Sequence, residues 1–73
     1  RANIMMIDLH LKVRYRIGDI VYCRSDVDNR MRFVTGYIIR KQMIIYIVSM
    51  DGSESYFYDF ELISENEQLM GLN

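Results

Sequence analysis

From Ile7 to Ile17 apolar and polar side chains alternate without a break. Ile7, Leu9, Leu11, Val13, Tyr15 and Ile17 take the odd positions, and Asp8, His10, Lys12, Arg14 and Arg16 the even ones. Successive side chains of a strand point to opposite faces, so this period predicts a half-buried β-strand; a helix would scatter the same apolar residues around its axis. Gly18-Asp19 punctuates the pattern, and Ile20 to Arg24 follows as a second run rich in β-branched and aromatic residues. Ser25 to Arg30 is a polar loop whose Asp26, Asp28 and Asn29 favour turns by bonding their own backbone. Met31 to Arg40 predicts a long strand interrupted at Gly36, where the missing side chain permits a bulge or a sharp bend.

The second half is equally punctuated. Arg40-Lys41-Gln42 is short enough only for a hairpin tip, and Met43 to Met50 returns as an almost wholly apolar strand. That composition predicts burial on both faces, or a cover supplied by the N-terminal strand. Asp51-Gly52 supplies the two positive φ angles of a type I′ hairpin, with Ser53 to Tyr58 as the outgoing strand. Tyr58-Asp59-Phe60-Glu61-Leu62 predicts a single 3₁₀ turn leading into a short last strand at Leu62-Ile63. Ser64 and Glu67 have the spacing of a capping box, which predicts a short helix from Glu65 to Met70 ended by Gly71.

Seventy-three residues allow one domain and one modest core. Without staples its stability is of the order of 3–5 kcal/mol. The single cysteine, Cys23, cannot close an internal disulfide, and one Cys with one His (His10) cannot complete a four-ligand zinc site. Association is then one way to gain stability. An unpaired Cys between apolar neighbours suits a small core residue in a reducing compartment, and the cytoplasm is the expected location. No apolar run approaches a membrane span and no signal pattern opens the chain. Met5 or Met6 can be the natural start, with residues 1–4 a remnant. Proline is absent and nothing repeats, so no linker is expected.

Gly18-Asp19-Ile20-Val21 opening a strand, the bent hairpin, the Asp-Gly turn and the single turn before a terminal strand together resemble the SH3-like barrel of Tudor and KOW domains over residues 17–64. The resemblance implies an all-β domain, a small barrel of five or six strands with a short C-terminal helical turn. Residues 5–17 would form the N-terminal amphipathic strand, 18–64 the barrel and 65–73 a helix or tail. The strings Tyr15 to Tyr22, Arg32 to Tyr37 and Tyr58 to Leu62 are also similar to small proteins encoded by phages and mobile elements of Bacteroides-like gut bacteria. Tudor domains hold methylated side chains in an aromatic cage; this chain has no Trp and its loops lack a cage pattern.

Three surfaces are candidates for binding. The apolar strand face of Ile7, Leu9, Leu11, Val13 and Tyr15 exceeds what one small barrel needs, and predicts either a sixth strand or a docking element that adds to a neighbour's sheet. On the opposite face His10, Lys12, Arg14 and Arg16 recur about every 6.6–6.8 Å, a row that can follow phosphates or simply protect an edge. With Arg24, Arg30, Arg32, Arg40 and Lys41, and with Tyr22, Phe33 or Tyr37 to stack on bases, it could make a nucleic-acid surface. The charge is split along the chain: the first 42 residues hold nine cationic side chains and four carboxylates, the remainder six carboxylates and no cation. A pI near 5.7 weighs against a dedicated nucleic-acid binder, and folding can interleave the two halves. The third surface is aromatic: strand alternation sets Tyr56 and Tyr58, with Phe60 beyond, opposite Phe57, a candidate pocket for peptides or methylated cations.

Catalysis has no constellation here. The only His lies on a charged strand face without a nucleophile at a suggestive spacing, and the paired carboxylates fall where turns and caps use them. The expected function is therefore a non-catalytic module for protein contact, self-association included, with nucleic-acid binding as the alternative. No cofactor, metal, membrane or small-molecule substrate is expected.

Overall fold

A computed structural model describes residues 3–71. Arg1, Ala2, Leu72 and Asn73, and with them parts of the expected opening remnant and tail, lie outside the described residues. Five strands follow in chain order: β1 (Ile20–Cys23), β2 (Arg32–Ile39), β3 (Ile44–Met50), β4 (Ser53–Tyr58) and β5 (Leu62–Ser64). A 3₁₀ turn, Asp59–Glu61, precedes β5, and a helix, α1 (Glu65–Leu69), follows it. All pairings are antiparallel and the order is β4-β3-β2-β1-β5, one open sheet whose outer strands are β4 and β5. The all-β expectation is met with five strands.

Local sequence explains the connections. The β2–β3 register shifts between Val34 and Gly36, the bulge expected at that glycine, and the Ile47 side chain lies where a Cβ on Gly36 would meet it. Asp51 and Gly52 have φ of 52° and 81°, the two positive angles of the hairpin turn. Ser64 and Glu67 form the capping box reciprocally, at 3.1 Å and 2.9 Å, and Gly71 follows the helix with positive φ.

The core joins Val21 of β1, Val34 of β2, Tyr46 and Val48 of β3 and Leu62 of β5 with Tyr15. Cys23 is buried too, as a small core residue, its sulfur 3.2 Å from the Ser25 hydroxyl. Phe57 packs against this cluster from β4. Register carries Ile45 and Ile47 of β3, with Ile38 of β2, to the opposite face, where Tyr56 and Tyr58 pair beside them. Those isoleucines are only half-buried. The expected burial of β3 on both faces is thus met on one face alone, since no strand lies over the other.

The strand expected over Ile7 to Ile17 does not form. A strand is completed by a neighbour's hydrogen bonds; both sides of β1 are taken by β2 and β5, and no backbone hydrogen bond joins residues 3–13 to the outer strand β4. Residues 3–13 instead make an irregular arm. The radius of gyration is 14.6 Å with extents of 53 × 24 × 18 Å, against about 11 Å for a compact chain of this length.

Candidate functional site

The arm divides at Val13. Ile4, Met6 and Ile7 are 95%, 93% and 70% exposed, and Met5, Leu9 and Leu11 are exposed with them. Val13, by contrast, is half-buried against the core and Tyr15 is 3% exposed. The candidate apolar face is therefore corrected: Ile7, Leu9 and Leu11 are accessible, whereas Val13 and Tyr15 are spent on the chain's own core.

Three tyrosines fix the root of the arm. The Tyr15 hydroxyl donates to the Leu62 carbonyl at 3.1 Å, and the Tyr37 hydroxyl donates to the Tyr15 carbonyl at 2.8 Å. The Arg14 amide donates to the Tyr46 hydroxyl at 2.9 Å. The rings of Tyr15 and Tyr37 each meet Tyr46 edge-on, at 5.4 and 5.6 Å. Burial raises the Tyr15 phenol above its ordinary value, opposed by the nearby Arg14 cation.

The cationic row is corrected as well. With no strand beneath them, His10, Lys12, Arg14 and Arg16 are exposed without a shared ladder to space them. The Arg14 guanidinium lies 5.7 Å from the Tyr15 ring, and the Arg16 amide donates to Asp19. Two other candidate cations are committed elsewhere. Arg24 donates to the Phe60 carbonyl at 3.0 Å, and Arg32, 8% exposed, donates to Asp26 at 3.0 Å and lies over the Phe57 ring.

Asp26 was expected only as a turn residue. Its carboxylate accepts from the Arg30 and Asp28 amides as well as from Arg32, and the Arg30 side chain is 3.5 Å away. These donors, the Arg30 amide foremost, hold its pKa at about 2. The signal for the pair was the parity of β2: Arg32 falls on the same face as buried Val34.

The aromatic candidates are placed as strand alternation implies. Tyr56 is 61% exposed, Phe60 is exposed, and Tyr58 and Phe60 stack with centroids 5.4 Å apart. Tyr58 and Phe60, without Tyr56, border a groove of about 520 Å³ lined also by Leu11, Lys12, Arg40 and Lys41. That groove brings the end of the arm, the β2–β3 tip and the end of β4 together, a meeting that chain distance conceals.

β4 is an outer strand. The two-residue turn makes Met50 and Ser53 a hydrogen-bonded pair, so Ser53, Ser55 and Phe57 spend their backbone groups on β3. The groups of Glu54 and Tyr56 point away from β3. At Tyr58 the outward amide is closed by the Glu61 carboxylate at 2.8 Å.

Among the described residues, no group of three or more His, Cys, Asp or Glu side chains is placed to hold a metal ion. No helix among them is long and apolar enough to cross a membrane. No protein-family model, curated protein or solved structure matches this chain.

Proposed function

We propose that this chain is a non-catalytic assembly module of the cytoplasm, a small SH3-like barrel that contacts protein partners, further copies of itself included, through its N-terminal arm. Several features support the barrel reading: β1 lies between β2 and β5, Gly36 marks a bulge in the longest strand, and a 3₁₀ turn precedes the last one. The observation that carries the function is the arm's apolar surface. The accessible surface is 5946 Å² for an 8.8 kDa chain, against ~4,800 Å² for a compact monomer of that mass, an excess of roughly 1,200 Å². Water-exposed Ile4, Met5, Met6, Ile7 and Leu9 in one run gain free energy from any apolar partner, at about 25 cal/mol per Å² covered before the cost of ordering the arm.

Light scattering across protein concentration, in low and high salt, tests this reading. A mass that rises with concentration and survives salt supports it. A single-chain mass at every concentration removes self-association.

A second reading rests on the groove, where Lys12, Arg40 and Lys41 border the Tyr58–Phe60 stack, the combination of cations and rings that holds single-stranded nucleic acid. Retention on an oligonucleotide column that collapses as salt rises would favour it, because phosphate contacts release counterions.

A further inference from the structure

Resting on the assembly reading, we infer that the open edge of β4 receives residues 5–11 of a second copy's arm as an added strand, and that two copies exchange arms reciprocally. The receiving edge is chemically incomplete. Glu54 and Tyr56 direct their amides and carbonyls away from β3, and β4 carries no proline, lysine, arginine or register shift to discourage pairing. The donor is incomplete in the complementary way. No hydrogen bond among the described residues involves the backbone of residues 3–13, yet their side chains keep the period of two that a strand needs once it has a neighbour.

Side chains match on the uncovered face of such a junction. Ile7 and Leu9, two residues apart, can lie beside Tyr56 and Tyr58 over the half-buried Ile45 and Ile47, covering the uncovered sheet face and the exposed arm together. Charge favours the same partner at the end of the added segment. Lys12, Arg14 and Arg16 follow it directly, whereas residues 53–67 hold five carboxylates and no cation. Within residues 5–11 the only charged side chain at neutral pH is Asp8. Two copies together expose roughly 2,400 Å² more than two compact monomers, so covering about half of it reaches the ~1,200 Å² total at which specific interfaces begin.

The chain's own arm does not fill its own edge. Leu11 and Lys12 line the same groove as Tyr58 and Phe60, where Glu61 has closed the edge, and residues 3–11 run on without a backbone bond to β4. A second copy can approach Glu54 and Tyr56 from the open side. Because each copy offers one arm and one open edge, Tyr15 at Leu62 and Glu67 at Ser64 having taken the outward groups of β5, a two-fold arrangement satisfies both and ends the assembly at a dimer.

The test uses the full chain and two full-length variants. Ile7→Asp with Leu9→Asp spoils the arm, and Tyr56→Pro removes an outward amide that β3 does not use. Light scattering from micromolar to millimolar concentration should show a doubled mass for the parent chain. Each variant should keep a single-chain mass with the parent's circular dichroism, and an equimolar mixture should recover a one-to-one dimer, since one chain retains the arm and the other the edge. A Tyr56→Pro chain that folds and still dimerises like the parent overturns the edge inference while leaving the assembly reading intact; a parent chain that stays single at millimolar concentration overturns both. Should Tyr56→Pro fail to fold, amide exchange on the parent chain decides. Protection at Glu54 and Tyr56 should rise at least tenfold across the dimerisation range, and no rise there refutes the inference.

Discussion

The Tyr15 hydroxyl donates a hydrogen bond to the carbonyl of Leu62, 47 residues away, at 3.1 Å. One contact thereby ties the root of the arm to the short outer strand β5. Register indicates that the Leu62 carbonyl points away from β1, because Arg24 and Glu61 form the adjacent hydrogen-bonded pair. Tyr15 supplies the partner that carbonyl would otherwise lack.

Tyr15→Phe should therefore lower stability by about 1 kcal/mol, and Tyr15→Ala by ~3–5 kcal/mol through the lost ring, both read from urea midpoints. The raised phenol adds a pH signature. The unfolded chain ionises Tyr15 from about pH 10 while the folded chain resists, so this contribution is whole below that value and declines as pH rises through the folded pKa. Tyr15→Phe should flatten that alkaline decline.

Acid acts through Asp26. Its folded pKa of about 2 lies below the ordinary 3.8, so its stabilisation is whole above pH ~4 and is lost as pH falls toward 2. Asp26→Asn should reduce the slope of stability against pH in that window. Asp26→Ala should be worse than Asn at neutral pH, because it leaves the buried Arg32 guanidinium without its main acceptor. Thermal unfolding at a series of pH values reads both.

Gly52→Ala should cost ~1–2 kcal/mol. No atom lies within 4 Å of the added methyl, so the whole penalty comes from a backbone held at φ of 81°. Chemical denaturation with an unchanged slope against denaturant would attribute the loss to the native turn.

Ser64→Ala removes the side-chain acceptor for the Glu67 amide and should cost about 1 kcal/mol. Amide exchange at Glu67 should speed up more than exchange in β2 or β3, which lie away from the helix.

Substitutions in the outer arm should separate stability from association. Ile7→Asp and Leu9→Asp act on exposed side chains and should move the thermal midpoint of the dilute monomer by no more than the equivalent of ~0.5 kcal/mol. A larger loss would show that residues 7 and 9 pack within the chain's own fold.

The turns and strands from Ile20 onward were legible because their causes are local. Asp51-Gly52 needs only its own backbone preferences, Gly36 only its missing side chain, and Ser64 and Glu67 only each other. The separation of Phe57 from Tyr56 and Tyr58 followed from strand parity. Nothing local could decide the N-terminal segment. Its alternation stated that residues 7–17 suit a strand, but a strand exists only beside a partner, and which partners are free is a property of the whole sheet. Tertiary structure gave both sides of β1 to β2 and β5, drew Val13 and Tyr15 into the core, and left Ile4 to Leu11 outside. It also turned Arg32 from a surface cation into the buried partner of Asp26, through a contact between a loop and a strand that parity hinted at and only folding could close.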